Sequence, residues 1–344
     1  MSSKFPQRKI GDTLVSSLGL GCMGMSMARS HGPPTDEENF AVLTAAANKG
    51  INFWVTSNSY GPFEIESMFG RWLASTGRRN SIFLTTKFGI EVTNEGYKLN
   101  SKREHVRAAC EASLQRLGVQ SVDMYSQHRV DPDTPIEETI RAMVELKNEG
   151  KIKYLGLSEC SATTLRRASK IHYMAAVEVE FSPFALEIED AKIGLLSAAR
   201  ELGTKIIAYS PLGRGFMTES LRKREDLDEK DSRRFFPRFS EESFDGNLRI
   251  VEVIEGIAKE KGRSVGQLGL AWVLAQGDDF IPIPGTKHVR YLEENPEAAY
   301  LELSREEEQN IRAAIDSVGG AKGARYPEAH LSMCFGDSVE VDAK

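Results

Sequence analysis

IRAMVELKNEGKIKYLGLSE, residues 140–159, is the stretch of this sequence that decides the predicted fold. Its first half carries apolar residues three and four positions apart, which is typical of an amphipathic helix. The predicted helix ends at Gly150, and glycine is the residue type most often found at the C-terminal end of a helix. The second half, from Ile152 to Glu159, is a β-rich run that predicts a strand. A helix that leads directly into a strand is the repeating unit of a parallel sheet covered by helices.

The same alternation of helix and strand runs through the whole chain. Helical patterns that end at Gly50, Gly118 and Gly203 precede three further strands. In all, eight strand-like runs lie at residues 17–21, 51–56, 82–89, 122–129, 152–159, 175–181, 205–211 and 280–285. Eight repeats predict an α/β protein with a (β/α)8 TIM barrel, and no GxGxxG turn follows the first strand to favour a Rossmann fold. We expect residues 1–344 to form a single barrel domain with its core at about residues 7–317.

Three segments lie outside this rhythm. Residues 8–16 predict a small hairpin that covers the barrel bottom. Residues 212–245 predict a long, charged loop, which follows the seventh strand and therefore belongs to the catalytic face. The weakly patterned tail at residues 319–344 is expected either to fold over the mouth of the barrel or to be disordered.

Composition excludes several classes of function. A net charge of −6 and a pI near 5.7 argue against a nucleic-acid partner. No apolar run approaches the roughly 20 residues that cross a bilayer, so we expect no membrane association. The N-terminus has no secretory pattern and the four cysteines are scattered, which predicts a reduced, cytoplasmic protein without a metal site. No feature of the sequence specifies an oligomeric state.

Three chemically active residues lie at the ends of successive predicted strands. Tyr60 comes a few residues after the second, Lys87 lies near the end of the third and His128 near the end of the fourth. Strand ends meet at the mouth of a parallel barrel, so the three side chains are expected to converge there. Together they make chemical sense, because a phenol can give a proton, a lysine cation lowers the phenol pKa and a histidine can orient a carbonyl oxygen.

Seven motifs support a resemblance to a known family. They are LGLGCMGM (18–25), SYGPFE (59–64), TTKFG (85–89), QHRVD (127–131), EGKIKYLGLSE (149–159), AYSPLGRG (208–215) and IPIPGTK…LEEN (281–295). In their number, order and spacing they resemble the aldo-keto reductase superfamily. The pattern is similar to the branch of fungal and plant aldehyde reductases, which includes pyridoxal-reductase-like enzymes.

The resemblance implies a role for each matching position. Tyr60 matches the proton donor, Lys87 the neighbouring lysine and His128 the carbonyl-orienting histidine. The implied NADPH site comprises Ser158, Glu178 and nearby Glu159 at the nicotinamide carboxamide, Tyr209 stacked on the nicotinamide, Ser210, Leu212 and Arg214 along the pyrophosphate, Gly285, Thr286, Lys287 and Arg290 around the 2′-phosphate, Glu293 and Asn295 near the adenine, and Gly24 and Met25 after the first strand. Lys287 and Arg290 suit a dianionic phosphate, which favours NADPH over NADH.

Position 55 departs from the family pattern. It holds Val55 where the family has the aspartate that pairs with the lysine, and Glu178 stands where the family has glutamine. Removing one partner of a buried ion pair typically costs about 3–5 kcal/mol unless the survivor adapts. Lys87 is expected either to lose its proton more easily or to find another acceptor, such as Asn58 or Glu178.

Three functions are compatible with these residues. The first is NADPH-dependent reduction of a small-molecule aldehyde or ketone. The second is a non-standard reaction in specialised metabolism: imine or conjugated C=C reduction, or non-redox isomerisation, cyclisation or dehydration. The third is a binding module that senses NADP(H).

The substrate pocket is predicted from three residues. Trp54 and Val55 are expected to make it hydrophobic and to favour bulky or apolar substrates. Arg129, like Arg214, could meet an acidic substrate or equally serve as a structural ion-pair partner.

Overall fold

The computed structural model describes residues 5–26, 34–93 and 96–341. Its strands are β1 Gln7–Ile10, β2 Thr13–Ser16, β3 Leu20–Gly21, β4 Phe53–Val55, β5 Phe83–Phe88, β6 Ile90–Thr93, β7 Gly96–Leu99, β8 Val122–Gln127, β9 Ile152–Ser158, β10 Ala176–Glu180, β11 Lys205–Tyr209 and β12 Phe280–Pro282. Its helices are α1 Asp36–Asn48, α2 Glu64–Thr76, α3 Arg103–Leu117, α4 Ile136–Asn148, α5 Ala162–Ile171, α6 Leu195–Leu202, α7 Glu241–Glu260, α8 Val265–Leu274, α9 Val289–Glu294, α10 Arg305–Ser317 and α11 Glu328–Leu331.

Eight parallel strands form the central sheet in the order β3-β4-β5-β8-β9-β10-β11-β12. The sheet closes on itself between its two outer strands. The amide of Gly19 donates to the carbonyl oxygen of Pro282 at 2.9 Å, and the amide of Gly21 donates to that of Pro284 at 3.2 Å. A Cβ at position 21 would lie 2.7 Å from the oxygen of Ile283, so this close approach requires glycine. The predicted (β/α)8 barrel is confirmed, and each predicted strand run contains one barrel strand.

Side chains of the barrel strands divide between two apolar cores. Phe53, Val55 and Ile281 face the barrel interior. Trp54, between two inward residues of β4, faces the helices, where its ring lies 4.9 Å from that of Trp72. This alternation follows from the two-residue period of a strand. Burial of each large apolar side chain contributes about 1.5–3 kcal/mol to stability.

The N-terminal hairpin covers the bottom of the barrel, as predicted. β1 pairs with β2 in antiparallel register, and its Ile10 lies with Val15 in the interior cluster. The Arg8 guanidinium donates to the carbonyl oxygen of Leu274 at 2.7 Å and to that of Phe280. Apolar burial and these hydrogen bonds hold the hairpin against the amino ends of the strands.

Two local features differ from the sequence-based expectation. The antiparallel hairpin of β6 and β7 directly follows β5 and was not predicted, because its short strands resemble loop sequence. The loop predicted at residues 212–245 is shorter, because α7 already begins at Glu241. Short 3-10 turns, including Gly213–Gly215 and Ser232–Phe235, occupy the rest of it.

The C-terminal tail lies against the mouth of the barrel, the end where the strands terminate. The amide of Gly336 donates to the carbonyl oxygen of Glu159 at 2.8 Å, and the amide of Ser161 donates back to that of Gly336 at 3.0 Å. Of the two alternatives for this segment, its described part therefore folds over the mouth.

Within the described residues, no helix is both long and apolar enough to cross a membrane. That part of the chain also contains no group of three or more His, Cys, Asp or Glu side chains able to hold a metal ion. The four cysteines are free thiols.

Candidate active site

Tyr60, Lys87 and His128 lie together at the mouth. The Tyr60 hydroxyl is 3.1 Å from Nζ of Lys87, and the Tyr60 and His128 rings are 5.6 Å apart between centroids. Lys87 lies in β5, whereas Tyr60 and His128 follow β4 and β8. Three neighbouring strands thus deliver the three side chains to one place.

Lys87 finds its carboxylate across the barrel. Its Nζ lies 3.1 Å from Oε1 of Glu178, and the two side chains are 0% and 6% exposed. β8 and β9 separate β5 from β10, so the contact spans the barrel interior. Asn58, the other acceptor considered for Lys87, has a buried Oδ1 without a hydrogen-bond partner among the described residues. Glu178 therefore supplies the carboxylate that the family pattern places at position 55.

This ion pair sets the charge state of the site. Burial lowers the pKa of Lys87, but the charge of Glu178, together with the hydrogen bonds to Glu178 and Tyr60, outweighs burial and raises it above its ordinary 10.5. Burial raises the pKa of the Tyr60 phenol above its ordinary 10.0, although the charge of Lys87 opposes this shift. At neutral pH the site therefore presents a protonated phenol hydrogen-bonded to an ammonium group.

His128 is a neutral imidazole at neutral pH. Burial, and then the charges of Lys87 and Arg129, hold its pKa well below the ordinary 6.5. Its Nδ1 lies 3.1 Å from the Ser57 hydroxyl and 3.3 Å from the Ser59 hydroxyl. With a serine hydroxyl donating to Nδ1, the imidazole proton lies on Nε2, where it can be donated to a substrate oxygen.

Arg325 of the C-terminal tail binds the side chain of Glu159. Both its carboxylate oxygens accept from the Arg325 guanidinium at 2.7 Å, and one also accepts from the Tyr209 hydroxyl at 2.7 Å. Burial raises the pKa of Glu159, but Arg325 outweighs burial and lowers it to about 2. Glu159 is thus an anion whose acceptors are already used, which leaves Ser158 and Glu178 as the candidate carboxamide ligands. Sequence analysis missed Arg325 because its tail has no pattern that indicates contact with a strand end.

A second ion pair orders the segment after β11. Arg214 binds Glu180 at 2.6 Å, and its guanidinium lies 4.1 Å from the centre of the Tyr326 ring. The Tyr326 hydroxyl lies 3.1 Å from that of Tyr209. Ser210 and Arg214 have left-handed φ values of 51° and 55°, a conformation that these contacts stabilise. Arg214 is therefore already paired with a carboxylate, while its contact with a pyrophosphate stays a prediction. Half-buried Leu212 lies between Ser210 and Arg214.

Trp54 and Val55 lie on opposite faces of β4. Trp54 is fully buried against Phe69 and Trp72 in the helical layer, and its place in the substrate pocket stays a prediction without a contact that supports it. Val55 is 1% exposed and packs inside the barrel. The sequence indicated the apolar character of both residues correctly, but strand alternation directs one outward and interior packing covers the other.

The remaining predicted cofactor residues lie in two regions of the mouth. Met25 is buried in the apolar core, whereas a Cβ added to neighbouring Gly24 would meet open space. After β12, one loop and the short helix α9 contain Gly285, Thr286, Lys287, Arg290 and Glu293, and Asn295 begins the 3-10 turn that follows α9. The Thr286 hydroxyl accepts from the amide of His288 at 2.9 Å, and the exposed Arg290 guanidinium lies over the Tyr291 ring. Their binding of a nucleotide stays a prediction.

A closed parallel barrel with a phenol, an ammonium group and an imidazole at its mouth defines a protein equipped for acid–base chemistry on a small molecule. The model of the Aldo/keto reductase family matches residues 17–316. The chain belongs to this family.

Similar proteins are found in fungi and plants. The chain is 48% identical to aldo-keto reductase str7 of Strobilurus tenacellus, over 93% of this chain and 95% of the relative. It is 47% identical to aldo-keto reductase yakc [NADP(+)] of Schizosaccharomyces pombe, over 97% and 98%. Among solved structures, glycerol dehydrogenase AKR11B4 of Gluconobacter oxydans matches with a TM-score of 0.83 at 26% identity, over 93% of this chain and 97% of that one.

Proposed function

We propose that this protein is an NADPH-dependent carbonyl reductase in which Tyr60 gives a proton to the oxygen of an aldehyde or ketone. The observation that carries the proposal is the chain of contacts from Tyr60 through Lys87 to Glu178, each 3.1 Å long. This chain provides a proton donor next to a stabilised cation although position 55 is apolar.

Each residue of this chain has a distinct task. Lys87 stabilises the negative charge that develops on the Tyr60 oxygen as the proton leaves. Glu178 keeps Lys87 protonated, because a buried lysine without a counter-charge tends to lose its proton. His128 donates from Nε2 to the carbonyl oxygen and holds it near the phenol. When bound, NADPH supplies the hydride that the carbonyl carbon accepts.

The residues present fit a nicotinamide cofactor. Oε2 of Glu178 is buried and has no hydrogen-bond partner among the described residues. Glu178 lies beside Ser158 in the paired strands β10 and β9. An orphaned buried acceptor next to a hydroxyl suits a carboxamide, which both donates and accepts. Lys287 and Arg290, together with the NADP(+) in the name of the Schizosaccharomyces relative, support NADPH as the form used.

The positions of Trp54 and Val55 do not support a preference for bulky or apolar substrates, which stays a prediction. Trp54 packs against the helices, and Val55 is 1% exposed inside the barrel. The proposal therefore rests on the polar groups of Tyr60, Lys87 and His128. The proposed substrate remains a small-molecule carbonyl compound.

The test is NADPH oxidation with an aldehyde panel, together with product analysis. The wild type is expected to form alcohol and NADP+ in equal amounts, and Tyr60→Phe to lower kcat by about 10²–10⁴-fold. The matched control is Tyr173→Phe. Tyr173 lies just after α5, and its hydroxyl only donates a hydrogen bond to the carbonyl oxygen of Gly203. An unaffected Tyr60→Phe enzyme contradicts the assigned donor. Product without net NADPH loss indicates non-redox chemistry instead, and cofactor binding without any turnover indicates a sensor.

A further inference from the structure

Arg129 is a cation at the mouth whose guanidinium touches no carboxylate among the described residues, although the charge of Glu159 acts on it and helps to raise its pKa. Its Nη1 donates to the carbonyl oxygen of His128 at 2.7 Å and faces the Ser158 hydroxyl at 3.4 Å. Among the described residues, Arg129 forms no ion pair with a carboxylate, and its Nε and Nη2 have no hydrogen-bond acceptor. An arginine stays protonated in proteins, so this half-buried guanidinium keeps its charge.

The nearby carboxylates are already matched by other cations. Glu159 binds Arg325 through two hydrogen bonds of 2.7 Å. In the same way, Glu178 binds Lys87 at 3.1 Å and Glu180 binds Arg214 at 2.6 Å.

Because these carboxylates are each bound by another cation, none of the described carboxylates is in hydrogen-bond contact with Arg129 beside the reacting groups. Its Nε and Nη2 can therefore still donate to an anion.

We propose that Arg129 binds a carboxylate of the substrate, so that the preferred substrates are carbonyl compounds that also carry a carboxylate group. This inference rests on the proposed carbonyl reduction and specifies its substrate class. The Nε and Nη2 hydrogens form one edge of the guanidinium, and that edge matches the two oxygens of a carboxylate.

The position of Arg129 favours substrate over cofactor. It directly follows His128, the residue proposed to hold the carbonyl oxygen, and its charge acts on both His128 and Tyr60. The carboxamide of the nicotinamide is neutral and needs no counter-charge. A carboxylate on Arg129 would fix the orientation of the carbonyl relative to Tyr60, which is how a remote ionic contact accelerates a reaction.

The first experiment measures binding without turnover. Calorimetry compares benzoate with its neutral analogue benzamide, on protein with and without NADP+. The wild type is expected to bind benzoate roughly 10–100-fold more tightly, the range for a charge-assisted pair. Arg129→Gln removes this preference and Arg129→Lys retains part of it. Arg166→Gln is the control, because it removes the same charge from α5, where Arg166 forms an exposed pair with Glu201 of α6.

The second experiment measures selectivity with NADPH, using para-carboxybenzaldehyde and its methyl ester. The wild type is expected to show a kcat/KM ratio of at least about 10 in favour of the acid, and Arg129→Gln a ratio near 1. The ratio separates a specificity role from a general loss of activity. Circular dichroism of each variant verifies folding, and the conservative Arg129→Lys keeps the test valid if Arg129→Gln does not fold.

The outcomes separate this inference from the proposed function. Equal binding of benzoate and benzamide by the wild type overturns the carboxylate site, even if both aldehydes are reduced. A benzoate preference that depends on Arg129, without reduction of either aldehyde, supports the site and contradicts carbonyl reduction. An Arg129→Gln protein that loses NADPH affinity while keeping its benzoate preference assigns Arg129 to the cofactor and overturns the inference.

Discussion

Lys87 and Glu178 form a buried ion pair of 3.1 Å between strands that are not neighbours in the barrel. The contact explains how an apolar residue is tolerated at position 55. In a barrel of eight strands the interior is narrow enough for a lysine on β5 to reach a carboxylate on β10. The counter-charge of Lys87 thus lies across the barrel, and Lys87 also contacts the Tyr60 hydroxyl at 3.1 Å.

Exchange of Glu178 tests this relocation. Glu178→Gln is expected to lower kcat by about 10²-fold, because burial then favours neutral Lys87 and the Tyr60 phenol becomes a weaker acid. Glutamine keeps a hydrogen-bonding group for the carboxamide, so the dissociation constant of NADPH should change little. Steady-state kinetics and fluorescence titration of NADPH measure the two quantities.

The matched control introduces a new carboxylate at position 55 of the Glu178→Gln variant. Val55→Asp in the Glu178→Gln background is expected to restore a large part of kcat, since it provides a counter-charge on the neighbouring strand. Val55→Asp alone places an extra charge in the apolar interior and should destabilise the fold by several kcal/mol. Full activity of Glu178→Gln with an unchanged pH profile would show that Lys87 does not need this carboxylate.

His128 predicts a dependence of stability on pH. Its pKa is well below the ordinary 6.5 in the folded state, so the unfolded chain binds more protons. The free energy of unfolding contributed by this residue is therefore present above pH 6.5 and falls with decreasing pH, by about 1.4 kcal/mol per unit. Urea unfolding measured at several pH values gives the free energy of unfolding as a function of pH, and this dependence should be weaker for His128→Asn than for the wild type. The same pH dependence in both proteins would contradict a buried neutral imidazole.

Arg325 is expected to secure the tail over the mouth. Arg325→Met leaves the Glu159 carboxylate buried without its main partner, which should lower the free energy of unfolding by about 3–5 kcal/mol. Arg103→Met, which breaks an exposed pair with Glu145, should cost no more than about 1 kcal/mol. Both values follow from the urea midpoints of the variants, provided that the free energy of unfolding depends on urea concentration with the same slope in each protein. Equal effects of the two substitutions would show that the tail contact is superficial.

Glu159 adds an acid-dependent effect of defined sign. Its pKa of about 2 lies below the ordinary 4.5, so its contribution to stability is present above pH 4.5 and is lost as the pH falls toward 2. Arg325→Met should reduce this loss, because the carboxylate then has less to lose on protonation. Comparing thermal unfolding of the two proteins across this range measures the difference.

Trp54 provides a test of packing against function. Trp54→Ala should lower the free energy of unfolding by about 3–5 kcal/mol, because it leaves a cavity beside Phe69 and Trp72. The milder Trp54→Phe should fold and keep KM within about twofold, as expected for a residue outside the pocket. A selective change of KM with unchanged stability would return Trp54 to the substrate site.

The periodic spacing of apolar residues along the chain is enough to predict the architecture. Helical patterns ending at glycine and leading into β-rich runs, repeated eight times, predicted the barrel and its bottom hairpin because both depend on local spacing of apolar residues. The convergence of Tyr60, Lys87 and His128 was also predictable, since parallel strands bring their ends to one side. The hairpin of β6 and β7 was not, because its strands are short and exposed.

By itself, the sequence determined the barrel, the family and the convergence of Tyr60, Lys87 and His128. Only the tertiary structure decided which carboxylate contacts Lys87, that Arg325 binds Glu159, that Arg214 binds Glu180 while Arg129 touches no carboxylate of the described residues, and that Trp54 faces the helices. The physical reason is range. Hydrophobic periodicity acts over a few residues, whereas the ion pairs at the mouth join positions as distant as Glu159 and Arg325, and the closed barrel alone brings them together.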